Sequence, residues 1–525
     1  MSDSNTIDRI IDLTLDRNPD VIAMKFKDEI YTYGDLELLS RHMSTWFTSL
    51  GLKGEPVAFM LPNGFEILIT YLACFKSGAV AIPLNRRYAA PELKKVLIDS
   101  GAKCLVIELE KLYLLDDIDL SQTSVETVYT TGVVPRSGSK NFYTLLGPAG
   151  PYEETDRSPQ DPAVILYTSG STGEPKGVVH SYSSILGIIN STSHALEDVS
   201  GDDRILIIDP QVHISGFLET FTGLYHGATI IVQDGFKLDR FVPALVNEGP
   251  TLLVTHIDLY VKLLDSGVTN KSTFAALRGI YTGGDSLPWA FQKRFHEHSG
   301  LIIKLGYGMT EAIWLTVTRE ADSKGTGTIG KALPGVEIKI VDKEGNDLTD
   351  GEIGELWVKG DMVTPGYWKN EKATAEAFQD GWFKTGDLSY RDSDGNFYYS
   401  GRIKDIIIRS TSNIMPAEVE QALYKHQDVK EAAVIGVQDK AEGHVPIAFV
   451  VKKEGSTLKE GSTLKEKATL KEKATLLEEE LKEFTATQIA SYKVPARIYF
   501  IDEIPLTPSG KIDHKQLYDL LQSDQ

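Results

Sequence analysis

Residues 167–177 read Tyr167-Thr168-Ser169-Gly170-Ser171-Thr172-Gly173-Glu174-Pro175-Lys176-Gly177 and follow the apolar run Ala163–Leu166. Three glycines let a backbone turn tightly, the four hydroxyls add donors, and Lys176 adds a point charge. A loop of this make-up can cradle a polyphosphate with backbone N–H groups and hydroxyls. It is not a Walker A loop, because the G-x-x-x-x-G-K-[ST] spacing is not met. A flexible Ser/Gly linker is the plainer alternative, but Pro175 and Lys176 between an expected strand and an expected helix speak against it.

Further motifs follow: Gly283-Gly284-Asp285, Gly306-Tyr307-Gly308-Met309-Thr310-Glu311, Trp382-Phe383-Lys384-Thr385-Gly386-Asp387, Gly401-Arg402-Ile403-Lys404-Asp405 and Pro508-Ser509-Gly510-Lys511. Together with the Ser/Thr/Gly loop, and in this order, they resemble the adenylate-forming superfamily of acyl-CoA synthetases, 4-coumarate-CoA ligases, luciferases and peptide-synthetase adenylation domains. The resemblance runs from about residue 30 to residue 517. It implies an ATP-dependent enzyme that joins a carboxylic acid to AMP and then passes the acyl group to an acceptor.

The residues suit those tasks. Tyr307 can cover an adenine face, Thr310 can contact the α-phosphate, and Glu311 can hold Mg²⁺ against the triphosphate. The alternative for Glu311 is a carboxylate at a helix start. By resemblance, Gly283, Gly284, Asp285, Gly306 and Gly308 border the nucleotide, as do Asp387 and Arg402. Their plainer readings are an Asx turn for Asp387 and a surface ion pair for Arg402. Lys511 corresponds to the lysine that offsets charge when an anionic carboxylate approaches an anionic phosphate. Lys404 matches the family's hinge, about which a small domain rotates between two half-reactions. His213, in Pro210-Gln211-Val212-His213, matches a gate beside the reacting carboxylate; a satisfied core histidine is its alternative. By position Gly216, Phe217, His256 and Trp314 join the acid pocket, and His256 and Trp314 favour an aromatic or heteroaromatic acid.

One position departs from the family. Thr411 stands where a glycine is usual beside the passage for the thiol of CoA. A β-branched side chain narrows such a passage and disfavours positive φ. Adenylation does not need the passage, so CoA remains the first acceptor and an amine attacking the acyl-adenylate directly becomes the second. A non-catalytic nucleotide-binding homologue is a third reading, opposed by the joint presence of Glu311, Asp387, Arg402 and Lys511.

These residues need a layered scaffold. Apolar strands alternate with helices from Pro56 to about residue 256, the pattern of an α/β fold with mostly parallel sheets. The helix over Phe65–Ser77 is expected to be amphipathic. From Gly327 to Ser400 short strands broken by Asp-Gly turns predict a β-rich subdomain, and beyond it a small α+β segment. The expected domains are 1–401 for ATP and acid binding and 402–525 as a mobile C-terminal domain. Residues 455–478 form a six-residue repeat, GSTLKE GSTLKE KATLKE KATLLE. Six residues turn a helix by about 240°, so its leucines cannot form one stripe. An exposed, deletion-tolerant surface helix is expected.

A chain of 525 residues exceeds one ordinary core, and 42% hydrophobic with 24% charged residues is globular composition. A net charge of -20 opposes nucleic acid and anionic membranes as partners. Cys74 and Cys104 sit in apolar runs and read as core packing. No basic leader and no membrane-length apolar span is apparent, which points to the cytoplasm.

Overall fold

In the computed structural model the described residues are 8–132, 138–169, 175–284, 287–319, 327–409, 412–439, 443–453, 470–506 and 512–523. Gly170, Ser171, Thr172, Gly173, Asp285, Thr411, Lys511 and most of the repeat lie outside them, as does the side chain of Ser169. The chain forms two compact units. One comprises residues 1–338, 358–384 and 395–397; the other comprises 339–357, 385–394 and 398–525.

The first unit holds two sheets. The nine-stranded sheet runs Lys331–Ala332, Ala312–Val317, Ile303–Met309, Gly279–Gly283, Leu252–Val254, Arg204–Ile207, Thr229–Val232, Ile22–Phe26, Glu29–Thr32. Its six strands from Ile303–Met309 to Ile22–Phe26 pair in parallel in succession. The eight-stranded sheet runs Gly366–Tyr367, Pro175–Ser181, Pro162–Ser169, Val80–Pro83, Pro56–Met60, Cys104–Ile107, Thr127–Thr130, Lys140–Asn141. The alternating strands and helices of the sequence thus become a mixed α/β architecture, as expected.

Helices Phe65–Ser77, Tyr182–Ala195 and Ile214–His226 fill the space between the sheets. Aromatic rings lock them: Tyr71 lies 5.4 Å from Phe217 and 5.5 Å from Phe221, and Phe75 lies 5.3 Å from Phe221. The expectation of an amphipathic Phe65–Ser77 is corrected here. All its residues except Glu66 are buried, because strands Pro56–Met60 and Val80–Pro83, helix Tyr33–Ser49 and the aromatic rings of helix Ile214–His226 together leave it no face for water. Cys74 and Cys104 are buried free thiols whose ionisation burial suppresses.

In the second unit Ser412–Ile414, Ile407–Arg409, Gly443–Lys452 and Val429–Asp439 form a sheet, with Arg497–Phe500 parallel to Gly443–Lys452. The end of the repeat departs from the expected exposed helix. Leu477, in its last copy, and Leu481 are buried in this unit's core, and Glu478 accepts a hydrogen bond from Ile498 N at 3.2 Å. Positions 477, 481 and 485 share one helix face, so the last copy supplies a packing residue. No described helix is long and apolar enough to cross a membrane.

Candidate active site

The Ser/Thr/Gly loop does not lead into a helix, as the sequence suggested. Pro162–Ser169 and Pro175–Ser181 pair antiparallel, with Thr168 opposite Lys176, so residues 170–174 connect the arms of a hairpin. Helix Tyr182–Ala195 starts only after Ser181, whose hydroxyl caps it. Lys176 is therefore fixed on a strand rather than carried by a loose loop.

That strand has a second neighbour. Gly366–Tyr367 pairs with it, Tyr367 opposite Val178. The Lys176 ammonium lies 5.4 Å from the Tyr367 ring centroid, within cation–π range. The Tyr367 hydroxyl in turn donates to Glu311 Oε1 at 3.0 Å. Burial first, and then the Glu311 carboxylate, push the Tyr367 hydroxyl far above its ordinary range, so it stays a donor. The structure thus joins Lys176 and Glu311 through a tyrosine that sequence reading missed; nothing in Pro365-Gly366-Tyr367-Trp368 marks it.

Glu311 itself sits in a tight turn. Met309 faces Ala312 across the Ile303–Met309/Ala312–Val317 hairpin, leaving Thr310 and Glu311 as its two connecting residues. The helix-start alternative is thereby excluded. Thr364 N donates to Glu311 O at 2.7 Å, and His180 Nε2 bonds the Thr310 carbonyl at 2.9 Å. Because a carbonyl only accepts, His180 carries its proton on Nε2. Burial pulls the His180 imidazole down to about 4, against the opposing Thr310 carbonyl.

This sets a pH dependence. An unfolded His180 takes a proton near its ordinary 6.5, the folded one only near 4. The unfolded chain gains protons first as pH falls, so stability is lost between those values, about 3 kcal/mol from this residue. Denaturant unfolding from pH 7 to pH 4 should show the loss, and His180→Gln should flatten it correspondingly.

The two glycine motifs adjoin: Gly283 pairs with Gly306 in neighbouring parallel strands. Gly306 and Gly308 have a duty beyond ligand approach, because both seat Trp314. A Cβ on Gly306 would fall within the Trp314 indole, and one on Gly308 would lie 2.7 Å from Trp314 N. Trp314 has φ 49°, in the left-handed region, where a bulky residue is strained and needs surroundings that hold it. It is buried, its indole packs edge-on to Tyr281 at 6.3 Å, and Ser191 Oγ donates to its carbonyl at 2.6 Å. Tyr307 lies half-buried on the same strand as Gly306.

His213 caps helix Ile214–His226 without a side-chain cap bond. Burial, then His256, then Arg87 hold its imidazole down to about 4, which keeps it neutral. Beside it lies Asp209, another residue missed from sequence. It accepts from Thr255 Oγ1 at 2.9 Å and lies 3.5 Å from His256 Nε2.

In the second unit Asp387 is buried within strand Trp382–Arg391, and Arg402 Nε donates to its Oδ1 at 3.2 Å. The Asx-turn alternative does not describe Asp387, and Arg402 is at least the partner of a buried carboxylate. Lys404 is exposed on the short 3-10 turn Ile403–Asp405.

Glu311 is a half-buried carboxylate joined to Lys176 through Tyr367. Such a residue suits Mg²⁺, which takes one or two carboxylates together with phosphate and water oxygens. No cluster of three or more acidic, His or Cys ligands occurs among the described residues.

Comparison with known proteins finds relatives over nearly the whole chain. The chain is 32% identical over 501 residues to the indoleacetate–CoA ligase of Aromatoleum aromaticum, covering 94% of each. ATP-bound MatB from Rhodopseudomonas palustris superposes with a TM-score of 0.87 at 27% identity, over 99% of both chains. The amide bond synthetase McbA from Marinactinospora thermotolerans gives 0.84 at 26%, over 98% of this chain and 99% of that one. The AMP-binding enzyme model matches residues 11–368 and its C-terminal domain model matches residues 418–511. With the motifs in order and the site assembled around Lys176 and Glu311, this chain belongs to the AMP-binding, adenylate-forming enzymes.

Proposed function

We propose that the protein is an ATP-dependent carboxylic acid ligase that forms an acyl-adenylate and transfers the acyl group to a thiol, CoA foremost. The observation that carries this reading is the Lys176–Tyr367–Glu311 connection, which links a cation on a strand to a carboxylate in a tight turn. A carboxylate oxygen of the acid attacks the α-phosphorus, the bond to the β-phosphate oxygen breaks, and pyrophosphate leaves. Thr168, Ser169, Ser171, Thr172 and Lys176 bind the phosphates, Tyr307 covers the adenine, and Asp387 accepts the ribose hydroxyls with Arg402 holding it. Glu311 would hold Mg²⁺, which would supply positive charge against the pyrophosphate leaving group. Lys511 offsets charge at the α-phosphate, delivered by rotation about Lys404. His213 stays neutral and gates the acid.

The acid is aromatic or heteroaromatic, favoured by the Trp314 indole against Gly306 and by the indoleacetate named for a relative. An amine acceptor is the second reading, favoured by Thr411 and by the likeness to an amide bond synthetase. Mass spectrometry of products from ATP, indole-3-acetate or ferulate, and either CoA or benzylamine tests both. An acyl-CoA with AMP is expected; an amide would select the second reading, and release of ADP would contradict adenylation. Thr411→Gly should raise thioester formation about tenfold, equal to ~1.4 kcal/mol, leaving pyrophosphate exchange unchanged. A flat response removes Thr411 as the obstruction.

A further inference from the structure

Adenylation consumes a carboxylate and needs no base. Transfer differs: a thiol must give up its proton in attacking the acyl carbon, and an ammonium must give one up before its nitrogen can attack. Asp209 and His256 stand at the carboxyl ends of adjacent parallel strands, Arg204–Ile207 and Leu252–Val254, where ligands of such sheets collect. Asp209 is buried while the His256 side chain is 52% exposed, and His256 Nε2 lies 3.5 Å from Asp209 Oδ2. Thr255 and Ser215 hydroxyls hold the carboxylate from the other side. His256 is also near enough to His213 to be the second cause, after burial, of that residue's neutrality.

A second buried carboxyl clarifies which acid is charged. Glu219 is fully buried on the helix that His213 caps, and neither of its oxygens has a hydrogen-bond partner among the described residues. Burial, and then Asp209, drive its carboxyl strongly upward. Two such groups cannot both ionise in one apolar region. Burial raises the Asp209 carboxyl as well, but His256 and the Thr255 and Ser215 hydroxyls oppose that rise, whereas Glu219 has no hydrogen-bond partner among the described residues. Of the other charged groups nearby, Asp258 acts on Asp209 and Arg87 acts on His213.

Resting on the ligase reading, we propose that His256 is the proton acceptor of the transfer half-reaction and that Asp209 positions it. Asp209 holds the Nε2 side, leaving Nδ1 to take the proton. The acceptor's sulfur or nitrogen bonds to the acyl carbon, the acyl C–O bond to phosphate breaks, AMP leaves with that electron pair, and the acceptor proton moves to Nδ1.

The test presents preformed indole-3-acetyl-adenylate or feruloyl-adenylate to the enzyme and to His256→Gln, which separates transfer from acid binding. With whichever of CoA or benzylamine the unaltered enzyme uses, His256→Gln should slow transfer about 100-fold. With hydroxylamine, already unprotonated at neutral pH, the loss should be under about threefold, since little base assistance is needed. Asp209→Asn should show the same acceptor-dependent pattern at smaller amplitude. Equal losses with both acceptors would mark His256 as merely structural and overturn the proposal, as would an unchanged rate with CoA or benzylamine. If the unaltered enzyme makes no adenylate from ATP and any acid, the ligase reading itself fails, and this is read separately by pyrophosphate exchange.

Discussion

Glu311→Gln is expected to lower acid-dependent pyrophosphate exchange by about 10²- to 10³-fold, the scale of removing one preorganised charge from a phosphoryl-transfer site. Glutamine keeps the size of the side chain and an oxygen for the Tyr367 hydroxyl, which bonds Glu311 at 3.0 Å. Only the negative charge is lost. Thermal unfolding should therefore stay near that of the unaltered protein while the Mg²⁺ dependence of exchange moves to higher concentration. Loss of activity with an unmoved Mg²⁺ curve would remove the metal role and leave Glu311 a hairpin residue.

Gly306→Ala should damage the protein more than any other small change at the site. The new methyl would occupy the place of the Trp314 ring, and Trp314 cannot swing away freely because its φ of 49° and the Ser191 bond fix its backbone. Overpacking of this kind costs about 3 kcal/mol. Denaturant midpoints should fall accordingly, and Trp314→Ala in the same chain should recover most of the loss. If Gly306→Ala is tolerated while Trp314 remains, the close seating of the indole is contradicted.

Much of the chemistry was legible in the sequence because its residues lie in short local motifs. Lys176 and Glu311 stand out by their neighbours. What joins them does not, since Tyr367 is 56 residues from Glu311 and reaches it only through strand pairing. The same holds for His180 and Thr310, 130 residues apart. The expected strand-to-helix step after Ser169 is replaced by a return strand, Pro175–Ser181, because glycines and hydroxyls announce a turn but not the direction the chain takes after it. Helix Phe65–Ser77 reads as amphipathic because its cover comes from separate segments, Tyr33–Ser49 before it and Phe217 and Phe221 far after it. Trp314 carried no signal of a left-handed backbone, an uncommon state for a large side chain that only its packing explains.

The central claim, adenylate formation, is tested most directly by exchange of labelled pyrophosphate into ATP in the presence of indole-3-acetate, ferulate and a wider panel of aromatic acids. Label should enter ATP only when a suitable acid and Mg²⁺ are both present, with no CoA or amine required. Exchange that is indifferent to the acid, or absent with every acid while ATP still binds, would contradict it.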